Sequence, residues 1–321
     1  MSKKTCLIYG HDGFDLCILY NIITFYKSLG FRVFFSNTLA DADLLVVLRI
    51  PPGNISSKNN DYDVIHVYDY VGSDYKPYFD MLDFKKALVF CSSDNRKNEI
   101  IASYPQYSNR VIVALAPVIT KFWAHTINPS ASFNIIHIGN CKPYYSDGTD
   151  LYSNRFLNII KNKKADVWGA GWDMPDLKAN AHGKLGIFKV PEICRNAVFA
   201  LGMMYPFQRE VTFSSRFWQA PLNGCTLLSE PCIYAGIFPG IVETDYSEDS
   251  VEQILNAAPD RLLIQQTAIK YWDDQYAITY KIVSDCLHAS SFSGKKTWSK
   301  NTAYYKHAFI NIIRKIKQKY S

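Results

Sequence analysis

Short, unbroken apolar runs alternate with helical segments along this chain, and that alternation leaves few folds open. KTCLIYG (4–10), FRVFFS (31–36), ADLLVVLRIPP (42–52), DVIHVYDYV (63–71), ALVFCSS (87–93) and RVIVALAPVI (110–119) read as strands. Between them, LCILYNIITFYKSLG (16–30) and DNRKNEIIASYP (94–105) carry helical spacing and helix-end signals. Strands that are apolar on both faces belong to parallel sheets covered by helices. After a Pro-containing linker at 117–132 the same grammar restarts with FNIIHIGN (133–140). A helix (151–162), ADVWGAGW (165–172), NAVFALGMMYP (196–206), a helix over 214–225, the strand TLLSE (226–230) and helices over 250–258 and most of 259–290 follow. The expected fold class is α/β, with two parallel-sheet domains of similar size facing a central cleft. No sequence repeat is detectable.

The 321 residues suit two domains, and 48% apolar with 20% charged residues excludes a disordered chain. No apolar run approaches membrane-spanning length. The start, MSKKTCLIYGHDGF, reads as a first strand and not a signal peptide. Eight cysteines have no Cys-x-x-Cys spacing, which argues against a zinc site or a disulfide framework and suits a reducing cytoplasm. Asp-x-Asp occurs at 41–43 and 61–63, ahead of strands, where it suits caps and not a metal site. Residues 295–321 hold eight of the 35 Lys and Arg and none of the 29 acids, so the rest carries 27 bases against 29 acids. That near-neutral body argues against nucleic-acid binding. The segment 300–320 places Phe309, Ile312, Ile313 and Ile316 at helical spacing beside Lys and Arg. It reads as a basic amphipathic helix, suited to an anionic membrane surface or to packing back on the protein.

The most informative stretch is SSRFWQAPLNGCTLLSEPCIYAGIFPGIVETDYSEDSVEQIL (214–255). Ligands of open α/β sheets bind beyond the carboxyl ends of strands, and helix starts there hold phosphate. Ser214, Ser215 and Arg216 add hydroxyls and a guanidinium to such a site. Arg216-Phe217-Trp218-Gln219-Ala220, then Asn223-Gly224, then Leu227-Leu228-Ser229-Glu230 resembles the donor-binding segment of GT-B-type glycosyltransferases of the CgeB-like group. Those read Arg-(Val/Met)-Phe-Glu-Ala-x-Ala-x-Gly-x-x-Leu-Leu-(Thr/Ser)-(Asp/Glu). FCSSDNRKNEI (90–100) resembles the last strand–helix unit of their N-terminal domains. The architecture is also similar to that of retaining Kdo transferases.

The resemblance implies an acceptor-binding Rossmann-like domain over 1–120, a nucleotide-sugar-binding one over 133–290, and a basic C-terminal helix over 291–321. It implies a metal-independent glycosyltransferase with no cofactor beyond its nucleotide-sugar co-substrate. Ser215 and Arg216 hold phosphate, while Gln219, Asn223 and Glu230 shape the nucleotide or sugar site. One departure matters. Gln219 stands where the family has a ribose-gripping Glu, and Val211 replaces the partner Glu eight residues earlier. An amide accepts ribose hydroxyl protons less strongly than a carboxylate. The donor expected is therefore a CMP-activated acidic sugar such as Kdo. The expected acceptor is a glycan or lipid-linked glycan of surface polysaccharide or lipopolysaccharide synthesis, in the cytoplasm or peripheral on the inner membrane.

HIGNCKPYYSDGTD (137–150) brings Gly139 and Asn140 to the donor side, with Lys142 for a phosphate or carboxylate. Asp147 or Asp150 would trap or stabilise the anomeric centre. Asp12 or His11 in GHDGFD, or Asp69 at a strand end, would serve as acceptor base. His182, on a glycine-flanked loop, is a candidate phosphate contact or proton donor, and Arg209 a candidate for a diphosphate or sugar carboxylate. Trp168 and Trp172 would wall a base or sugar, or simply pack. Two other functions suit the same architecture: a nucleotide-sugar epimerase and a non-catalytic glycan- or nucleotide-binding relative.

Overall fold

The computed structural model describes residues 4–10, 16–36, 39–49, 62–69, 79, 82–83, 85–141, 151–177, 180–204 and 209–290. They divide into two units. The first holds the described residues up to Val118, Glu210–Thr212, and those from Asp274 onward; the second holds those of Ile119–Arg209 and Phe213–Asp273.

The strands of the first unit are β1 (Thr5–Gly10), β2 (Arg32–Ser36), β3 (Leu44–Arg49), β4 (Val64–Asp69), β5 (Ala87–Cys91) and β6 (Val111–Val113). They pair in parallel in the order β2-β1-β3-β4-β5-β6. Alternate residues feed opposite faces, as strand geometry demands. Cys6 and Ile8 join a core with α1 (Leu16–Ser28), while Leu7 and Tyr9 join one with α2 (Asp94–Ser103). Helix α1 buries Cys17, Leu19, Ile22, Ile23, Phe25 and Tyr26, the apolar stripe read from the sequence. It stops at Gly30, whose φ is 89°. The Phe31 amide reaches back to Tyr26 O and the Gly30 amide to Lys27 O, the paired bonds of a Schellman cap. Helix α2 begins where Ser93 Oγ accepts the Arg96 amide. Before β3, Asp43 caps the sheet edge, accepting both the amide and the hydroxyl of Thr5. The serines that follow β5 also hold the detached strap: Ser92 Oγ and Ser93 Oγ donate to Val211 O.

The second unit contains α3 (Thr120–Trp123), β7 (Phe133–Ile138), α4 (Leu151–Asn162), β8 (Asp166–Trp168), α5 (Val190–Arg195), β9 (Ala197–Gly202), α6 (Arg216–Gln219), β10 (Thr226–Ser229), β11 (Ile241–Glu243) and α7 (Glu248–Leu255). Its five-stranded parallel sheet runs β11-β10-β9-β7-β8. Both sheets thus follow one winding: the second strand lies outside the first, and the third lies on the first's other side. Ile135, Phe199, Leu201 and Leu228 face Phe156, Ile159 and Ile160 of α4. The 29-residue α8 (Arg261–Ala289) contributes to both units, its last turns packing Val283 and Leu287 into the first core.

The single helix expected over 214–225 is instead a one-turn α6 followed by a 3-10 turn at Pro221–Asn223. Pro221 has no N–H to continue the α ladder, and Gly224, with φ 71°, closes the turn in the left-handed region. The helix-start phosphate site expected there is reduced to one turn, and Ser215 makes no side-chain cap.

Arg261 ties this region together. Its guanidinium donates to Gly224 O, Asn128 O and Arg195 O, three carbonyls from separate segments, the last of which also accepts the Asn128 amide. Arg261→Ala is expected to cost about 3 kcal/mol by removing three charge-assisted bonds. Urea titration of the intact protein measures this. Arg261→Lys should recover only part of it, because an ammonium lacks the planar fork; an unchanged midpoint for the alanine variant would refute the assignment.

Candidate functional site

In a doubly wound sheet, the strand order reverses at a switch point, and the chain there leaves a crevice beyond the carboxyl ends. In the second sheet this point lies between β7 and β9. The two strands pair from Phe133 to Ile136. Past Ile136, His137 and Ile138 continue the ladder with β8. The carbonyls on the β9 side of this opening need other donors.

Two side chains supply them. His137 Nδ1 lies 2.8 Å from Leu201 O. Arg216 Nη1 donates to Ile138 O at 3.0 Å, Nη2 to Met203 O at 2.6 Å, and Nε to Ser214 Oγ at 3.3 Å. The guanidinium thus bridges the ends of both strands, held by three acceptors, with two of its five N–H groups left over. Beside it, after β10, Glu230 is fully buried. Both of its oxygens accept the Met204 amide, at 3.0 and 3.1 Å. Arg209 Nη2 stands 3.6 Å from Glu230 Oε1. Tyr246 closes the floor, its hydroxyl 2.6 Å from Gly202 O and 2.7 Å from Leu228 O.

The electrostatics follow from burial. Desolvation pushes the Glu230 carboxyl up to about 7, against the pull of the Met204 amide, Arg209 and Arg216. Desolvation, helped by the Arg216 charge, pushes the His137 imidazole down to about 3. His137 is therefore neutral at physiological pH, and because a carbonyl only accepts, the proton sits on Nδ1.

The loops after β7 and β8 meet backbone to backbone. A Cβ on Gly169, whose φ is 142°, would lie 2.1 Å from Gly139 O. Asn140 Oδ1 accepts the Ala170 amide and Trp172 Nε1 donates to Gly139 O. Trp168 and Trp172 are buried packing residues.

The structure thus gathers Gly139, Arg209, Ser214, Arg216 and Glu230 around one edge, with Asn140 in the neighbouring loop, Ser215 just before α6 and buried Gln219 as its last residue. It places others elsewhere. Asn223 is fully buried and committed: its amide nitrogen donates to Trp123 O and Gln219 O, and its oxygen accepts the His125 amide. It braces the chain and presents nothing to a ligand. His182 pairs with Asp166 Oδ1 at 2.6 Å and stacks on Trp168 at 4.4 Å. That is the outer edge of β8, three strand positions or about 14 Å from β10. Asp69, at the end of β4 in the first unit, is buried and bound by Arg96 Nε at 2.6 Å. Asp12, His11, Lys142, Asp147, Asp150 and the segment 291–321 lie outside the described residues. His137 was missed as a site residue, although a polar side chain in phase with Phe133 and Ile135 on a buried face was a readable signal.

Glu230 gives a signed pH prediction. Its folded-state pKa lies above its unfolded one, so its contribution to stability is complete below about 4.5 and is lost as pH rises through about 7. The stability advantage of the wild type over Glu230→Gln should therefore shrink between pH 4.5 and 7.5, by up to about 3 kcal/mol. Buried His137 and His66, both pushed down to about 3, act with the opposite sign but equally in both proteins, so they cancel in the difference. Denaturant titrations across that range check this; a flat difference contradicts it.

No protein-family model and no curated protein sequence matches the chain significantly. Solved structures do. An α-glucosyltransferase in complex with UDP and a 13-mer DNA aligns over 90% of this chain and 100% of its own, with TM-score 0.59 and 12% identity. AviGT4, a glycosyltransferase involved in avilamycin A biosynthesis, aligns over 88% and 98%, with TM-score 0.55 and 12% identity. HepE of Anabaena in complex with UDP aligns over 89% and 98%, with TM-score 0.52 and 11% identity. Two parallel α/β sheets wound alike, with these structures as neighbours, make this the two-Rossmann-like-domain GT-B fold.

Proposed function

We propose that this chain is a glycosyltransferase that binds a nucleotide-sugar at the switch point of its second sheet and passes the sugar to a glycan acceptor. The observation that carries the reading is the preset guanidinium of Arg216 beside Arg209 at the carboxyl edge of a GT-B sheet. That solved neighbours of this fold are in complex with UDP supports a nucleotide as ligand. In the proposed reaction the bond from the anomeric carbon to the phosphate oxygen breaks and a bond to the acceptor oxygen forms. The acceptor's proton passes to a base. Arg209 and Arg216 offset the charge that develops on the leaving phosphate, work that fixed cations do without a metal.

The finer assignments belong to the same proposal. Asp147 would stabilise or trap the anomeric centre. Of the two candidate bases Asp12 is favoured, since Asp69 is bound to Arg96. Residues 1–120 would take the acceptor and 133–290 the donor. The near-neutral body supports a glycan acceptor over nucleic acid, and the basic 291–321 segment supports work at an anionic inner-membrane surface. Gln219, in place of an acid, is the basis for a CMP-activated acidic sugar such as Kdo as donor. Among the described residues no helix is long and apolar enough to cross a membrane.

A thermal-shift screen with UDP, GDP, CMP and CDP tests the proposal, since a ligand of the native state raises the melting temperature. At 100 times Kd the expected stabilisation is about 2.7 kcal/mol. Arg216→Ala and Ser215→Ala should abolish the shift. A shift with CMP alone supports the acidic-sugar donor, and one with UDP or GDP alone overturns that part. Absence of any shift, or full affinity in both variants, overturns the donor site.

A further inference from the structure

Glu230 is a carboxyl group with few donors for its burial. The residue is 0% exposed, yet its two oxygens share one donor, the Met204 amide. Its own amide pulls in the same direction. A buried carboxylate is normally held by several donors or by a close cation. The cation here is Arg209, whose Nη2 stands 3.6 Å from Oε1, beyond hydrogen-bond distance. The backbone of Arg209 is tied to the same loop, because the Ile233 amide donates to Arg209 O. Arg216 is placed differently. Its three donor nitrogens are spent on Ile138 O, Met203 O and Ser214 Oγ, so its position does not depend on Glu230.

The charged and titratable groups that act on Glu230 come from several segments. They are Arg209 ahead of α6, Arg216 in α6, Tyr246 after β11 and Cys232 in its own loop, with His137 of β7 behind Arg216. Burial sends the Tyr246 hydroxyl and the Cys232 thiol upward and holds His137 at about 3. Among these groups Glu230, pushed up to about 7, is the one that changes charge near neutrality. Ionised, it offsets one of the two arginines and attracts Arg209. Protonated, it leaves both positive charges to an anion. A bound anion in turn disfavours a second negative charge beside it, so the carboxyl gains a proton.

We infer that Glu230 is a proton-linked positioning residue for the donor's phosphates: it holds Arg209 while ionised, and releases Arg209 to the bound anion when it takes a proton from solvent. This rests on the proposed nucleotide-sugar reading and deepens it, because the donor site then takes up a proton as it fills.

Calorimetric titration of the intact protein with UDP-glucose, GDP-mannose and CMP-N-acetylneuraminate tests this, since none of the three has a phosphate that titrates near neutrality. The one that binds is titrated at pH 7.5 in Tris and in PIPES, whose different ionisation heats count the protons exchanged. Uptake of about half a proton or more is expected there. Almost none is expected at pH 5.5 in acetate and MES, where Glu230 is already protonated. Wild-type affinity should fall about tenfold from pH 6.5 to 8.5. Glu230→Gln is neutral at every pH. It should take up no proton and bind more tightly than wild type at pH 8.5, whereas loss of a merely structural group would weaken binding at every pH. The wild-type proton count decides alone if the glutamine variant fails to fold. No uptake at pH 7.5, an affinity flat in pH, or a folded glutamine variant that keeps the wild-type slope overturns the inference. Failure of all three nucleotide-sugars to bind wild type would instead remove the functional reading on which it stands.

Discussion

The bridge from Arg216 to the carbonyls of Ile138 and Met203 is the interaction on which the rest of the candidate site depends. Two parallel strands that part company leave carbonyls with no ladder partner, and burying those without donors is costly. One planar guanidinium satisfies both ends at once, which a lysine ammonium, with its point charge, does poorly. The same bond pattern sets the chemistry. It immobilises a positive charge at the one place in a doubly wound sheet where ligands bind, and it places that charge next to buried His137 and Glu230. Burial moves both from their ordinary ranges, the histidine down with the help of Arg216 and the carboxylate up against its pull.

The charge balance at this edge is adjustable. Arg209 and Arg216 face a single carboxylate whose pKa is about 7, so the cluster carries between one and two positive charges around neutrality. An incoming phosphate would favour the protonated Glu230 that leaves both arginines uncompensated. The fold around this cluster is shared with glycosyltransferases at about 12% identity, a level at which backbone winding persists while side-chain chemistry has to be read from this chain itself.

Much of the fold was legible because its strands are continuous apolar runs: β1, β4, β7 and β10 all stand where such runs end in a glycine or polar turn. What escaped was short or interrupted. Strand β11 has three residues, with Val242 and Glu243 exposed, and α5 is a six-residue helix built around Pro191. The break in the helix at 216–223 follows from Pro221, a residue visible in the sequence. Of the site, Arg216 and Glu230 were legible because both lie in one contiguous motif. The partners that decide the fates of Asn223, Asp69 and His182 lie 100, 27 and 16 residues away, at Trp123 O, Arg96 and Asp166. His137 owes its tautomer to Leu201 O, 64 residues distant, and to burial that only the packed sheet creates.

The proposed donor site is the carboxyl end of β7 and β9 in the second sheet. A crystal structure of the protein with bound nucleotide or nucleotide-sugar tests it most directly. Density for the ligand is expected beyond the carboxyl ends of β7 and β9, in contact with the guanidinium of Arg216. Density confined to the first unit's sheet, or to the outer edge of β8 beside His182, would contradict it.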